Sequence, residues 1–177
     1  MPRAVLLLAV AGVLAAAAVA GAAIVPNKGI GRVQLGMTPA KVRKLLGVPD
    51  LVNARTDDKK LPEIIWGYEK AGLGIIFSGK PQKVTLVGVG HKSERLPSGL
   101  GVGSHEADLK RRFPRLGCAI KAPGYRYCWL GRKLPGKVVT VFYIPIAVGP
   151  PKDRRTVSNV SIGYVKYAAG DPFTGET

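Results

Sequence analysis

Two cysteines and two histidines are the side chains here with which covalent or acid–base chemistry could be done. A thiol nucleophile needs a base beside it, and His105 is the nearest histidine to Cys118. Cys128 follows Cys118 by ten positions, however, and in an oxidising compartment such a pair reads as a structural disulfide. Closing so short a loop stabilises a fold by about 3 kcal/mol on the chain-entropy account. Two cysteines with no histidine in reach supply only half a zinc site, so no metal is expected. His91 sits in GVGHKSER, leaving an apolar run, and His105 falls in the first turn of a helix; both read as solvated. Asp57 and Asp58 are a loop pair beside Lys59 and Lys60, which makes them solvated neighbours rather than a carboxylate dyad. GLGVG, Gly99 to Gly103, lacks the Gly-Lys-Ser/Thr ending of a phosphate loop. No catalytic residue and no cofactor are expected, and an unrecognised hydrolase built on His91 and His105 is the weakest of three functional readings.

Binding chemistry is better represented. Tyr125, Tyr127, Trp129 and Tyr143 fall on strand-like runs, with Trp66 and Tyr68 on an earlier one. Exposed Tyr and Trp on a sheet are partner-binding anchors. Trp66 and Phe77 are expected in the core, whereas Tyr125, Tyr127 and Trp129 are expected to be exposed. Two basic clusters form the second candidate: Lys41, Arg43 and Lys44 on one helix, then Lys110, Arg111 and Arg112 on another, with Arg115 beyond. They could hold phosphate-bearing polymers or headgroups. The plainer reading is that cations near a helix C-terminus complement its dipole.

The first twenty-three residues stand apart, with Arg3 the sole charge and Ala4 to Ala23 an unbroken run of Ala, Val, Leu and Gly. Ala18, Ala20 and Ala22 satisfy the small-residue rule for a signal peptidase, so residues 1–23 read as a signal peptide, or else an N-terminal anchor. An extracellular or cell-envelope location follows. Without Arg3 the chain carries 26 basic and 11 acidic residues, a net charge of +15. Outside the cell that excess attracts anionic envelope polymers and headgroups rather than nucleic acid. A monomer is expected.

Elements that would position these residues recur along the chain. VQLGMTPAKVRKLLGVPD begins at Val33, and LGVGSHEADLKRRFPRLG begins sixty-seven positions later at Leu100. Thr38 caps the first helix with Pro39 at its first position, and Val42, Leu45 and Leu46 make one apolar face. Ser104 is expected to cap the second, with Leu109 and Phe113 as its apolar pair. Residues 24–32 read as a short linker or N-terminal edge, and Asp50 to Pro62 as a loop or weak helix. Strands are expected at Ile64–Tyr68, Leu73–Phe77 and Val84–Val89, then at Arg126–Leu130, Val138–Ile144 and Thr156–Val165. The fold expected is α+β: two tandem modules, each a short helix or helix pair followed by a three- to four-stranded antiparallel meander, with the sheets forming one face. The boundaries are 24–96 and 97–167, with 168–177 a flexible tail.

The string LGMT-P-x-x-V-x-x-x-LG-x-PD, followed by W-x-Y, GL-x-I-x-F and V-x-x-V, resembles the SmpA/OmlA-like module. Outer-membrane assembly lipoproteins carry it once, and the β-lactamase-inhibitor protein family resembles two in tandem. The resemblance covers roughly residues 30 to 166 and implies helices packed on an antiparallel sheet. It also implies a non-enzymatic binding or scaffolding protein, secreted or envelope-associated, that recognises a protein partner through its sheet face. The alternative is a proteinaceous inhibitor of a secreted enzyme, inserting a loop such as Ala147 to Arg155 into its target. The chain lacks the lipid-bearing Cys of the lipoproteins, and its Ser78-Gly79-Lys80-Pro81-Gln82 turn lacks the carboxylate of the inhibitor's hairpin tip.

Overall fold

A computed structural model describes residues 23–56, 62–122, 124–146 and 155–165. The leader, residues 57–61, residue 123, the 147–154 loop and the tail after Val165 lie outside them.

Eight strands form one antiparallel sheet. In chain order they are β4 (Leu51–Thr56), β5 (Pro62–Tyr68), β6 (Leu73–Ser78), β7 (Lys83–Val89), β8 (Gly117–Ala122), β9 (Tyr125–Leu130), β10 (Val138–Pro145) and β11 (Asn159–Tyr164). Their order across the sheet is β4-β5-β6-β7-β11-β10-β9-β8. Alternation along each strand sends one set of side chains to a core. Tyr68, Leu73, Val89, Val160, Phe142, Cys128 and Cys118 pair in turn across seven strands as one inward row. Val52, Trp66, Ile75, Val87, Ile162, Thr140 and Leu130 form the next. Most members of these rows are buried, and each removes β-branched or aromatic surface from water.

Both helices lie against this inner face. α1 (Pro39–Leu46) begins as its residues dictate: the Thr38 hydroxyl accepts from the Lys41 amide, Pro39 occupies the first turn, and Gly47 ends it at φ 85°. Val42 is its fully buried residue. α2 (Glu106–Arg112) buries Leu109, while His105 is its N-cap without a side-chain capping bond. The expected cap is corrected here. Ser104 turns its hydroxyl to the Gly101 amide at 2.9 Å, with Arg95 donating to it as well. Residues 24–32 are also more than a linker. β1 (Ile24–Val25), β2 (Gly29–Ile30) and β3 (Val33–Gln34) form a small antiparallel sheet that buries Ile24, Ile30 and Val33 completely. Its turn reaches β10, where the Asn27 amide donates to the Thr140 hydroxyl at 2.9 Å.

The two-module α+β expectation is overturned. The fold is mostly β, with helices of eight and seven residues, and its strands belong to one eight-stranded sheet beside a three-stranded one. The physical reason is at the β7–β11 junction. Gly88 faces Ser161 there and would have no room for a Cβ, which would meet the Ser161 Oγ at 2.8 Å. On the other face of the same ladder Val89 pairs with Val160 and Val87 with Ile162, so the core is continuous across the two strands rather than divided into two packed units.

Candidate functional site

Among the described residues, no helix lies over the outer face of the sheet. Its central row is Leu51, Gly67, Gly74, Gly88, Ser161, Val141, Trp129 and Gly117, paired strand to strand across all eight. Three adjacent glycines lower the floor of one half of this row, with the Leu51 side chain against Gly67 and the Ser161 hydroxyl against Gly88 on either side of Gly74. A Cβ added at Gly74 would meet nothing within 4 Å, so the space above it is open. The other half is raised. Val139 and Val141 are buried there, with Leu86, Tyr127, Trp129 and Tyr143 packed against them. Tyr127 and Tyr143 are cross-strand partners whose rings meet edge to face, with centroids 4.9 Å apart. Trp129 lies over Gly117, and the Lys133 ammonium sits 4.8 Å from its ring centre.

The structure thus brings Tyr127, Trp129 and Tyr143 together on one face, with Tyr125 at the same sheet edge. Tyr125 is exposed; Tyr127, Trp129 and Tyr143 are half-buried, so the expectation of exposure holds for Tyr125 and not for its neighbours. Trp66 and Phe77 are both buried, ring to ring at 4.7 Å. The glycine floor was missed in the sequence, although glycines inside strand-like runs mark close approach of another group.

On the inner face, Cys118 and Cys128 are directly opposed and joined as a disulfide. Beside it Glu106, only 4% exposed, receives Arg126 and Lys110 at 2.6 Å each. Burial pushes its carboxyl upward, but these two hydrogen bonds and the two positive charges outweigh that and hold it below the ordinary value. The Glu106 carboxylate and the two sulfurs lie within 4.8 Å of one another. The sulfurs are spent on each other, and two cations already face the carboxylate, so this cluster is an ion-pair network against a disulfide.

His91 Nδ1 lies 2.8 Å from the Ser93 hydroxyl, and Glu94 contacts that same hydroxyl at 3.4 Å. In a catalytic triad the acid orients the histidine; here it touches the serine, so the relay geometry is absent. His105 borders an open depression with Glu106, Asp108, Lys110 and Arg155. The basic clusters are largely engaged within the protein. Arg43 stacks on Trp66 at 5.6 Å and Arg112 on Phe113 at 5.7 Å, while Arg111 pairs with Asp108 and Lys110 with Glu106. Lys41, Lys44 and Arg115 are exposed. Of the proposed inhibitory loop, residues 147–154 are outside the described set.

No family model matches the chain, and no curated protein matches it. Among solved structures it is similar to a cysteine-rich secretory protein from Staphylococcus aureus, at 16% identity and a TM-score of 0.45 over 78% of this chain and 46% of that one. It is also similar to an extracellular SCP-domain protein from Bacillus anthracis, at 11% identity and a TM-score of 0.44 over 73% of this chain and 44% of that one. The chain spans less than half the length of either, and likeness of this degree bears on neither fold nor function.

Proposed function

We propose that this chain is a non-enzymatic, exported binding protein that recognises a protein partner through the helix-free face of its sheet. The observation that carries the reading is the open floor at Gly74, between Leu51 against Gly67 and Ser161 against Gly88, in the same sheet face as the Tyr127, Trp129 and Tyr143 wall. A bare floor admits a partner's side chains to the backbone level, and rigid aromatic walls supply contact area at little entropic cost. The net charge of +16 speeds encounter with acidic surfaces without setting specificity. Export is supported by the apolar, weakly charged leader and by a disulfide.

The test uses the full chain and a Gly74→Phe variant as baits on envelope and medium fractions, washed first at low and then at high salt. Gly74 has ordinary backbone angles and open space, so Phe fills the floor without straining the strand. A protein held through the high-salt wash by the parent, and at least tenfold less by the variant, supports the reading. Complete elution by salt replaces it with polyanion binding, and equal retention by both baits removes the sheet face from recognition.

A further inference from the structure

The two edges of the eight-stranded sheet are treated differently. At one end β8 is interrupted by a register shift between Ile120 and Ala122, which blunts an edge. At the other end β4 runs for six residues with an unbroken register against β5, without proline, and every one of its residues is exposed. Strand edges are commonly guarded by a charged side chain reaching into solvent beside them. The single charge in β4 is Arg55, and its Nε is turned back onto Glu63 of β5 at 2.8 Å. Large apolar groups stand open instead: Val48 is 75% exposed, Leu51 50% and Val52 56%.

The surroundings of β4 carry a sign. Val52 pairs with Trp66, and the Arg43 guanidinium lies over that ring at 5.6 Å, on the same face of the sheet. Lys41 and Lys44 remain exposed on the same helix. Of the described carboxylates beside β4, Glu63 is buried against Arg55 at 2.8 Å and Asp50 accepts from the Glu69 amide at 2.7 Å, while Asp57 and Asp58, next in the chain, lie outside the described residues. We infer that β4 is an open pairing edge that takes an extended segment of a partner protein as a ninth strand, with apolar residues alternating with acidic ones. Main-chain hydrogen bonds would supply affinity, and alternate side chains meeting Leu51, Val52 and the helix cations would supply selection. A second copy of this chain is the poorer occupant, since each carries +16.

This inference stands apart from the sheet-face reading, because Gly74→Phe leaves β4 untouched. The probe is a capped eight-residue peptide alternating valine with glutamate. Controls are the same peptide N-methylated at every second residue along one edge, and a version with lysine for glutamate. The Val–Glu peptide is expected to shift the amide resonances of Leu51 to Thr56 and slow their exchange. Affinity should fall at least tenfold on N-methylation, in the lysine version, and in a Val52→Glu chain, where an exposed substitution leaves the core intact. Equal binding of the N-methylated peptide would reduce the contact to charge alone and overturn the proposal. So would shifts mapping away from β4, no shift at millimolar peptide, or self-association of the chain that Val52→Glu abolishes.

Discussion

Glu106 of α2 and Arg126 of β9 meet at 2.6 Å beneath the sheet, and Lys110 meets the same carboxylate oxygen at 2.6 Å. This contact ties a seven-residue helix, too short to hold itself together, to the strand that carries Cys128. The folded carboxyl titrates below its ordinary value of 4.5, so the interaction contributes fully above that pH and is lost as pH falls through the folded value. Glu106→Gln should cost about 1–3 kcal/mol at pH 7 and less at pH 3, below the ordinary value of 4.5. Urea midpoints of both forms at the two pH values check this. If parent and variant lose stability in parallel between them, Glu106 is not the group responsible.

Cys118 and Cys128 are ten residues apart and close the hairpin of β8 on β9. Replacing both with serine should lower stability by about 2–3 kcal/mol through the unfolded chain. The loss should appear as a lower urea midpoint and as faster amide exchange in β8, the edge strand, before any other. Reducing the parent with dithiothreitol should reproduce the shift; a reduced chain as stable as the oxidised one would exclude a stabilising role.

What could be read from the residues alone depended on burial. Thr38, Pro39 and Gly47 delimit α1 by local chemistry, and Trp66, Ile75 and Phe77 alternate because one side of their strands is buried. The β4 segment reads as loop or weak helix because Leu51–Thr56 has no buried face, leaving no alternation to detect; only pairing with β5 makes it a strand. β1, β2 and β3 are two residues each, below the length at which a period exists. The joining of all eight strands in one sheet rests on the pairing of Leu86–Val89 with Val160–Gly163, which are far apart in the chain. The aromatic residues of the candidate site are legible by type, but the half-burial of Trp129 follows from Gly117 and Lys133, and that of Tyr127 and Tyr143 from each other and from Val139 and Val141, positions no local pattern reports.

Gly117 is the seat of Trp129. A Cβ at position 117 would fall 2.4 to 2.7 Å from three atoms of the indole, so Gly117→Ala must displace the ring from its place under Lys133. The expected cost is about 1–3 kcal/mol, typical of overpacking. Tryptophan emission should move to the red, because the other tryptophan, Trp66, is buried against Phe77 and stays as it was. An unchanged emission spectrum would mean that the strand moves and the ring does not.

Arg55 fastens the exposed strand β4 to β5. Glu63 is 1% exposed and receives Arg55 at 2.8 Å and the Ser78 hydroxyl at 3.0 Å, so three neighbouring strands meet at one carboxylate. Arg55→Ala removes a charge that compensates a buried one and should cost about 1–3 kcal/mol, most of it the penalty left on Glu63. Glu63→Gln should be milder than Glu63→Ala, since the amide oxygen can still accept from Arg55 or Ser78. Amide exchange separates the local effect from the global one. In Arg55→Ala the amides of Leu51 to Thr56 should open well before those of β6 and β7, because an edge strand whose six side chains are all exposed is then held mainly by its ladder to β5. Uniform acceleration across the sheet would instead make Glu63 part of the global fold rather than the fastening of its edge.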